Sequence, residues 1–351
     1  MPLLPLLPLL PPAADGAAAA AEGANAACSR SSGAVRAVTW ARTSMVRGPS
    51  LRSSRSSRRM SGGEQGVSLV FPPFRLPRRF HCRRASHCVR GTVGRRAAVA
   101  AMASGGASGS LERGAAPPAG GFPVVVVFHP TTKSQAKEPA GIEVERPDRV
   151  HGLQLIARGY AVWCPRCYIF DEGADYKGNV AKVLARHPDW LGMTRLLYDA
   201  VRAADFVESR PEVNKERMGC FGHSLGAKEA LYAAAFDLRY KAAVFSEGGI
   251  GLSFSNWEAV WYLGEGIKKP GFGLDHHQLM ALIAPRGFLI LAGNSADDDR
   301  CWAYVDAVRP LYKQLGASDK IGWYNHELGH TYPPDAQRVA EEFLERCLKL
   351  N

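Results

Sequence analysis

The first 120 residues lack lysine altogether and contain only four acidic residues, against 17 arginines. Their net charge is +13, so the remaining residues carry −2 of the whole-chain total of +11. The basic character therefore belongs to the amino-terminal third of the chain. Because the rest is nearly neutral, it lacks the electrostatic surface of a nucleic-acid-binding domain, and we expect no nucleic-acid partner.

Long uninterrupted apolar runs are also missing. Without a run of about 18 apolar residues, the sequence predicts no membrane-spanning helix and no membrane partner. The eight cysteines form no regular framework, which is typical of free thiols in a reducing compartment. Cys164 and Cys167 form a CxxC pair, but the pair ends an apolar strand instead of opening a helix, and no second pair completes a zinc site. We therefore expect neither a redox site nor a metal site here.

Residues 1–120 form a low-complexity leader rich in arginine, serine and alanine, which we expect to be disordered. The opening leucines are interrupted by prolines and have no basic start, so the composition fits an organelle transit peptide better than a secretory signal. This interpretation predicts an organelle location, chloroplast in preference to mitochondrion. The alternative is that translation starts downstream, at Met60 or Met102, and a start at Met102 predicts a cytoplasmic protein. Residues 105–121 have the composition of a flexible linker.

Residues 121–351 read as one domain, since six apolar strand-like segments alternate with amphipathic helical ones. The predicted strands are 124–128, 160–164, 217–221, 242–245, 288–292 and 321–324. The predicted helices are 150–158, 190–208, 225–235, 279–283, 302–315 and 336–348. This alternation predicts an α/β fold with a mostly parallel sheet of about six strands and helices on both faces. Ligands of such sheets bind at the carboxyl ends of the strands.

A GxSxG motif occupies one of those carboxyl ends, from Gly222 to Gly226. It stands between a predicted strand and a predicted helix, the arrangement that a nucleophile elbow needs. Ser224 is therefore the predicted nucleophile. A Ser-acid-His order along the chain is typical of this arrangement, and His330, between the last strand and the last helix, is the predicted base. His326, nearer the strand end, is its rival.

Two carboxylates could complete a catalytic triad by orienting the histidine. Asp297 follows the fifth strand and is the first choice, while Asp298 and Asp299 beside it could cap the next helix. Glu247 follows the fourth strand and is the alternative acid. The choice between Asp297 and Glu247 stays open at this point.

An oxyanion hole needs two backbone N–H groups close to the nucleophile. Leu225 supplies one in the predicted elbow. Thr131 is expected to supply the other from the loop after the first strand, because Pro130 has no N–H.

Two insertions are candidates for substrate contacts. The aromatic insertion after the fourth strand contains Phe254, Trp257, Trp261 and Tyr262. We expect it to form the substrate pocket through Trp257 and Trp261, although its rings could instead pack on the sheet. His223 is expected to pack at the elbow and to contribute to that pocket. The second insertion, 168–182, could act as a cap and carries Asp171, Glu172 and Asp175. The adjacent His276 and His277 are interpreted as helix-start or surface residues.

Several motifs together resemble the dienelactone hydrolase and acetyl xylan esterase group of α/β-hydrolases. They are His129-Pro-Thr-Thr, the strand at 160–164, Arg210-Pro-Glu-Val, the segment 219–226, Ser246-Glu-Gly-Gly-Ile and Ile283-Ala-Pro-Arg. The resemblance implies hydrolysis of a small-molecule ester or lactone without a metal or cofactor. Glucuronoyl esterases are similar too, and their catalytic glutamate corresponds to Glu247.

The chain departs from that group at two places. Members usually carry His-Gly where this chain has His129-Pro130, and they usually open with a β-hairpin where this chain has low-complexity sequence. Two other functions remain alternatives: a small-molecule receptor on a hydrolase scaffold, and acyl transfer to an alcohol other than water. The identity of the ester and the oligomeric state stay open.

Overall fold

The computed structural model describes residues 117–170 and 175–349, together with the backbone of 101–103. The strands are β1 Ala101–Ala103, β2 Phe122–Phe128, β3 Ala161–Cys164, β4 Val213–His223, β5 Tyr240–Ser246, β6 Gly287–Ala292 and β7 Ile321–Asn325. The α-helices are α1 His151–Ala157, α2 Tyr176–Arg186, α3 Gly192–Glu208, α4 Leu225–Phe236, α5 Val260–Leu263, α6 His276–Ile283, α7 Cys301–Gln314 and α8 Pro334–Leu348. All six predicted strands and all six predicted helices are present.

The strands form one sheet in the order β1-β3-β2-β4-β5-β6-β7, and every described strand pair is parallel. The predicted α/β architecture is thereby confirmed. β1 pairs with β3 at the edge of the sheet and lies inside the segment that the sequence assigned to the leader. The rest of the predicted leader up to residue 116 lies outside the described residues, so the transit peptide stays a prediction.

The alternation of side chains along β2 shows how the sheet is covered on both faces. Val124, Val126 and Phe128 pack into a core shared with α3, α4, α6 and α7, while Val125 and Val127 pack into a second core shared with α1 and α8. Since successive side chains of a strand point to opposite faces, a strand buried on both faces must be apolar throughout. The run of valines that predicted β2 reflects this double burial.

The second insertion contains a helix that the sequence did not predict. α2 begins after Asp175, whose carboxylate accepts a hydrogen bond from the backbone N–H of Gly178 at 2.7 Å as an N-cap. Asp171 and Glu172 lie outside the described residues. α5 is likewise a short addition within the aromatic insertion. No helix in the described part of the chain is long and apolar enough to span a membrane.

Candidate active site

The GxSxG motif forms a sharp turn between β4 and α4. Ser224 has φ 58° and ψ −119°, a conformation that a residue with a side chain seldom adopts. Its N–H donates to the carbonyl oxygen of Ser246 at 2.8 Å. A Cβ atom at Gly222 would lie 2.0 Å from the oxygen of Gly226, and one at Gly226 would lie 2.1 Å from the oxygen of Phe128. The two glycines are therefore required by close backbone contacts, and the predicted nucleophile elbow is present.

Glu247 lies directly after β5 and faces the predicted base. Its carboxylate is fully buried, and its Oε2 lies 3.2 Å from Nδ1 of His330. Oε2 also accepts from the N–H of Ala296 at 2.8 Å, and Oε1 accepts from the N–H of Gly293. A carboxylate held by backbone donors on one side and by an imidazole on the other is suited to orient that imidazole. The His330 side chain is one-third exposed, so its ring reaches the open side of the site.

Asp297, the first choice for the acid, makes different contacts. Its Oδ2 accepts from the N–H of Gly249 at 2.8 Å and its Oδ1 from the N–H of Ile250 at 2.6 Å. Burial raises the pKa of this carboxyl to about 6, although the two N–H donors act in the opposite direction. The structure thus brings Glu247 to His330 and places Asp297 against a backbone turn, which reverses the order of preference between the two acids.

Two further histidine rings, those of His223 and His151, follow His330 in a chain of ring contacts. The ring of His223 is 4.7 Å from that of His330 and 5.7 Å from that of His151, centroid to centroid. His223 is fully buried and shares a hydrogen bond of 3.0 Å between its Nδ1 and Oγ of Ser246. Burial lowers the pKa of His223 well below its usual value, which keeps the ring neutral. The packing role expected for His223 is observed, but its burial does not support a part in the substrate pocket.

The loop after β2 is fixed by His129. Its Nε2 accepts from the N–H of Cys167 at 3.2 Å, and its Nδ1, 2.8 Å from the carbonyl oxygen of Pro130, is the donor in that contact. Burial lowers the pKa of His129 to about 4, so the ring is a neutral Nδ1–H tautomer that ties two loops together. Thr131 is exposed on this loop and Leu225 is buried at the start of α4. Their role as oxyanion donors stays a prediction.

The two tryptophans that the sequence assigned to a substrate pocket differ in their exposure. Trp257 is fully buried, and its indole N–H donates to the carbonyl oxygen of Gly249 at 2.7 Å. Trp261 is half-buried and stacks on Tyr262 at 3.8 Å. Trp257 therefore belongs to the core because its indole N–H finds a partner inside the protein. The alternative interpretation, rings that pack within the domain, describes Trp257.

The other histidines and cysteines considered in the sequence analysis are buried or half-buried. His326 is half-buried, and its Nδ1 accepts from the N–H of Leu328 at 3.1 Å. His276 opens α6, as expected, but is buried there, with Nδ1 2.7 Å from the carbonyl oxygen of Ile250. Cys164 and Cys167 are buried and are not joined by a disulfide, and burial raises the pKa of Cys164 to about 12.

The fold, the elbow and the order of Ser224, Glu247 and His330 along the chain define the class: the described domain has the α/β-hydrolase fold. Residues 114–255 match the model of the Dienelactone hydrolase family. This segment contains Ser224 and Glu247, and it begins a few residues before the predicted domain boundary. The match confirms the resemblance to α/β-hydrolases of the dienelactone hydrolase group.

Curated relatives cover part of the chain. A 4-O-methyl-glucuronoyl methylesterase of Hypocrea jecorina (strain QM6a) is 25% identical over 192 residues, which are 44% of this chain and 40% of the relative. A carbohydrate esterase of an unknown prokaryotic organism is 25% identical over 175 residues, 43% of this chain and 40% of the relative. The matches thus span less than half of the length of these relatives.

Solved structures support the fold. A glucuronoyl esterase of Solibacter usitatus superposes with a TM-score of 0.52 at 18% identity, covering 64% of this chain and 73% of that one. A carbohydrate esterase family 15 glucuronoyl esterase of Caldicellulosiruptor kristjansonii gives 0.51 at 19% identity, covering 65% of this chain and 68% of that one.

Proposed function

We propose that this protein is a serine hydrolase that cleaves a carboxylic ester, with Ser224 as nucleophile, His330 as general base and Glu247 as the triad acid. The contact of 3.2 Å between Nδ1 of His330 and Oε2 of Glu247 carries this proposal. It joins the loop after β7 to the loop after β5 at the same edge of the sheet as the nucleophile elbow. A triad is recognised by such geometry and roles, since its members can come from different loops.

In this mechanism the Glu247 carboxylate accepts a hydrogen bond from the Nδ1–H of His330, which leaves Nε2 free to take the proton of the Ser224 hydroxyl. The serine oxygen attacks the ester carbonyl, and backbone N–H groups at Leu225 and Thr131 receive the developing negative charge. His330 then protonates the leaving alcohol as the carbon–oxygen bond of the ester breaks. A water molecule, deprotonated by the same imidazole, hydrolyses the acyl-serine and restores the enzyme.

The family match and the names of the relatives support an ester as the substrate. Ester hydrolysis is the activity that the resemblance implies. One relative is named a 4-O-methyl-glucuronoyl methylesterase and another a carbohydrate esterase. A methyl ester of glucuronic acid is therefore the first carbohydrate ester to test as a substrate. An unsubstituted acyl ester, p-nitrophenyl acetate, serves as the general probe.

The test is steady-state turnover of both esters by the full chain and by four variants. Ser224→Ala, His330→Ala and Glu247→Gln remove the three proposed groups one at a time. Ser209→Ala is the matched control, because Ser209 is exposed at the end of α3, at the opposite edge of the sheet. We expect turnover by the wild type and the control, and a loss of about 10⁴-fold in kcat for Glu247→Gln, in line with loss of the acid in other triads.

Other outcomes point to other functions. A folded wild type that binds the ester but releases product no faster than Ser224→Ala would contradict the esterase proposal and favour a receptor. Product that appears on an added alcohol in preference to water would indicate acyl transfer. Retention of full activity by Glu247→Gln together with its loss in an Asp297 variant would contradict the assignment of the acid.

A further inference from the structure

The four residues 247–250, named here the acid turn, adopt an unusual conformation that the surrounding side chains enforce. Glu247 has φ +52°, in the left-handed region that residues with side chains rarely occupy. Its N–H donates to the carbonyl oxygen of Leu291 at 3.0 Å. A residue in such a strained conformation persists only where its surroundings determine it fully. The contacts of the acid turn therefore decide where the Glu247 carboxylate points.

Asp297 holds the second half of the acid turn from the loop after β6. Its two oxygens accept the N–H groups of Gly249 and Ile250 at 2.8 and 2.6 Å. The Asp297 residue is fully buried. Two successive N–H groups that point to one buried carboxylate fix the direction of both peptide planes, as charge-assisted hydrogen bonds do.

Lys228 holds the first half of the acid turn from α4, one helical turn after the nucleophile. Its ammonium donates to the carbonyl oxygen of Gly248 at 2.7 Å and to Oγ of Ser255 at 3.3 Å. The residue is 3% exposed, and its Nζ lies 3.9 Å from the centre of the Trp257 ring. A buried ammonium needs such acceptors and an aromatic face, because an unpaired charge inside a protein is strongly destabilising.

Two further side chains bind carbonyl oxygens of the acid turn. The carbonyl oxygen of Gly249 accepts from the indole of Trp257, and that of Ile250 accepts from the ring of His276. The N–H of Glu247, the carbonyl of Gly248 and both backbone groups of Gly249 and Ile250 are thus bound by groups from β6, α4, the β6–α7 loop, α6 and the aromatic insertion. This is more restraint than a surface turn requires.

The charges of Asp297 and Lys228 are both buried, and that of Asp297 acts on Lys228. Burial lowers the pKa of Lys228 to about 7, and the negative charge of Asp297 opposes that shift. Burial likewise raises the pKa of Asp297, with Glu247 adding to the effect and the N–H groups of the turn opposing it. Removal of the Asp297 charge would therefore leave the buried ammonium of Lys228 with less compensation.

We propose that Asp297 and Lys228 are positioning residues that hold the acid turn, and through it the Glu247 carboxylate, in the geometry that binds His330. The proposal rests on the esterase function proposed above. It assigns to Asp297 a role distinct from that of the triad acid. It also explains why two buried carboxylates occur at neighbouring strand ends: one contacts the imidazole, and the other holds the backbone that carries the first.

The experiment compares Asp297→Asn, Lys228→Met, Glu247→Gln and the double variant Asp297→Asn/Glu247→Gln in the full chain. Asp298→Asn is the matched control, because Asp298 pairs with the exposed Arg300. Two experiments are made on each: steady-state kinetics with p-nitrophenyl acetate, which give kcat and KM, and hydrogen–deuterium exchange of the backbone amides in the acid turn, followed by mass spectrometry.

We expect Asp297→Asn and Lys228→Met each to lower kcat by about 10²-fold, since a small misplacement of a catalytic group has that effect. KM should change little, because the groups do not touch the substrate. The double variant should be no slower than Glu247→Gln alone, since a residue that acts only through Glu247 has nothing left to position. Exchange in the acid turn should be slow in the wild type and faster in both single variants, but unchanged in Asp298→Asn.

Three results would overturn the inference. The first is a double variant whose loss is the product of the two single losses, which would show independent effects. The second is an Asp297→Asn variant that behaves like the control in both rate and exchange. The third is fast exchange in the acid turn of the wild type, which can be observed even if every variant fails to fold.

The exchange measurement separates this inference from the proposed function. If the wild type hydrolyses no ester, the esterase proposal fails by itself. Slow wild-type exchange that both single substitutions accelerate would still show that Asp297 and Lys228 hold the turn, whereas unchanged exchange in those variants would overturn that as well.

Discussion

Replacement of His151 by phenylalanine should make the protein more resistant to acid. His151 is 1% exposed, and neither ring nitrogen has a hydrogen-bond partner. Its ring lies 4.7 Å from those of Phe221 and Tyr332, in an environment that suits an apolar ring. Burial lowers the pKa of His151 to about 3. The folded protein therefore keeps this ring neutral at pH values where the unfolded chain protonates it.

The size of the effect follows from the difference in proton binding. The folded-state pKa lies below the unfolded value of about 6.5, so this histidine lowers the free energy of unfolding as the pH falls through 6.5, and the loss is complete below pH 3. At pH 4.5 the unfolded ring is almost fully protonated and the folded ring almost fully neutral. Two pH units of linkage amount to about 3 kcal/mol. Phenylalanine, which does not titrate, removes this loss.

The assay is urea-induced unfolding of wild type and His151→Phe at pH 7.0 and pH 4.5. We expect the drop in unfolding free energy between the two pH values to be about 3 kcal/mol smaller in the variant. His187→Phe is the matched control, because His187 is exposed and stacks on Trp190 at 4.2 Å, a contact that phenylalanine can keep. A benefit below about 1 kcal/mol, or an equal benefit in His187→Phe, would refute the argument from burial.

Three further predictions concern the site and its surroundings. His330→Ala should abolish ester turnover while His326→Ala keeps most of it, as measured by initial rates; comparable losses would contradict the choice of His330. Gly226→Ala should lower the free energy of unfolding by about 3 kcal/mol or more, because its Cβ would lie 2.1 Å from the carbonyl oxygen that ends β2. The control Gly266→Ala, which has open space around it, should change that free energy by under about 0.5 kcal/mol. Denaturant titration of both variants would show whether they differ. Cys164, whose pKa burial raises to about 12, should react with a thiol reagent at pH 8 only as fast as the protein unfolds, so rapid labelling under native conditions would contradict its burial.

The elbow shows how much of the site could be predicted from sequence. Gly222, Ser224 and Gly226 stand at fixed spacing between a strand pattern and a helix pattern, and the structure places them in the predicted turn. The spacing was informative because the close contacts at both glycines are local to the turn and the strands beside it. His330 was predicted as the base in the same way, from its place between the last strand and the last helix, and the structure places it beside Glu247.

Other contributors to the site left no comparable pattern. Lys228 lies in an alanine-rich helix where its charge would ordinarily be expected on the surface, yet it is buried against Trp257 and the carbonyl of Gly248. Ser246 contacts His223 only because the last residues of β4 and β5 are paired in the sheet. The one hint in the sequence was a pair of charged residues, Lys228 and Glu229, in a largely apolar helix that follows the nucleophile.

Sequence patterns predicted the six strands, their alternation with helices, the turn at Ser224 and the candidate base, because periodicity and turn chemistry are properties of neighbouring residues. Which of Asp297 and Glu247 contacts His330 became visible only in the folded chain, since both follow strands that lie side by side and both are buried. The direction that each side chain takes after its strand decides which carboxylate contacts His330. That direction depends on the positive φ of Glu247 and on backbone N–H donors from distant parts of the chain. The burial of Trp257, which the sequence assigned to a pocket, was decided in the same way by a partner eight residues away that only the folded turn presents.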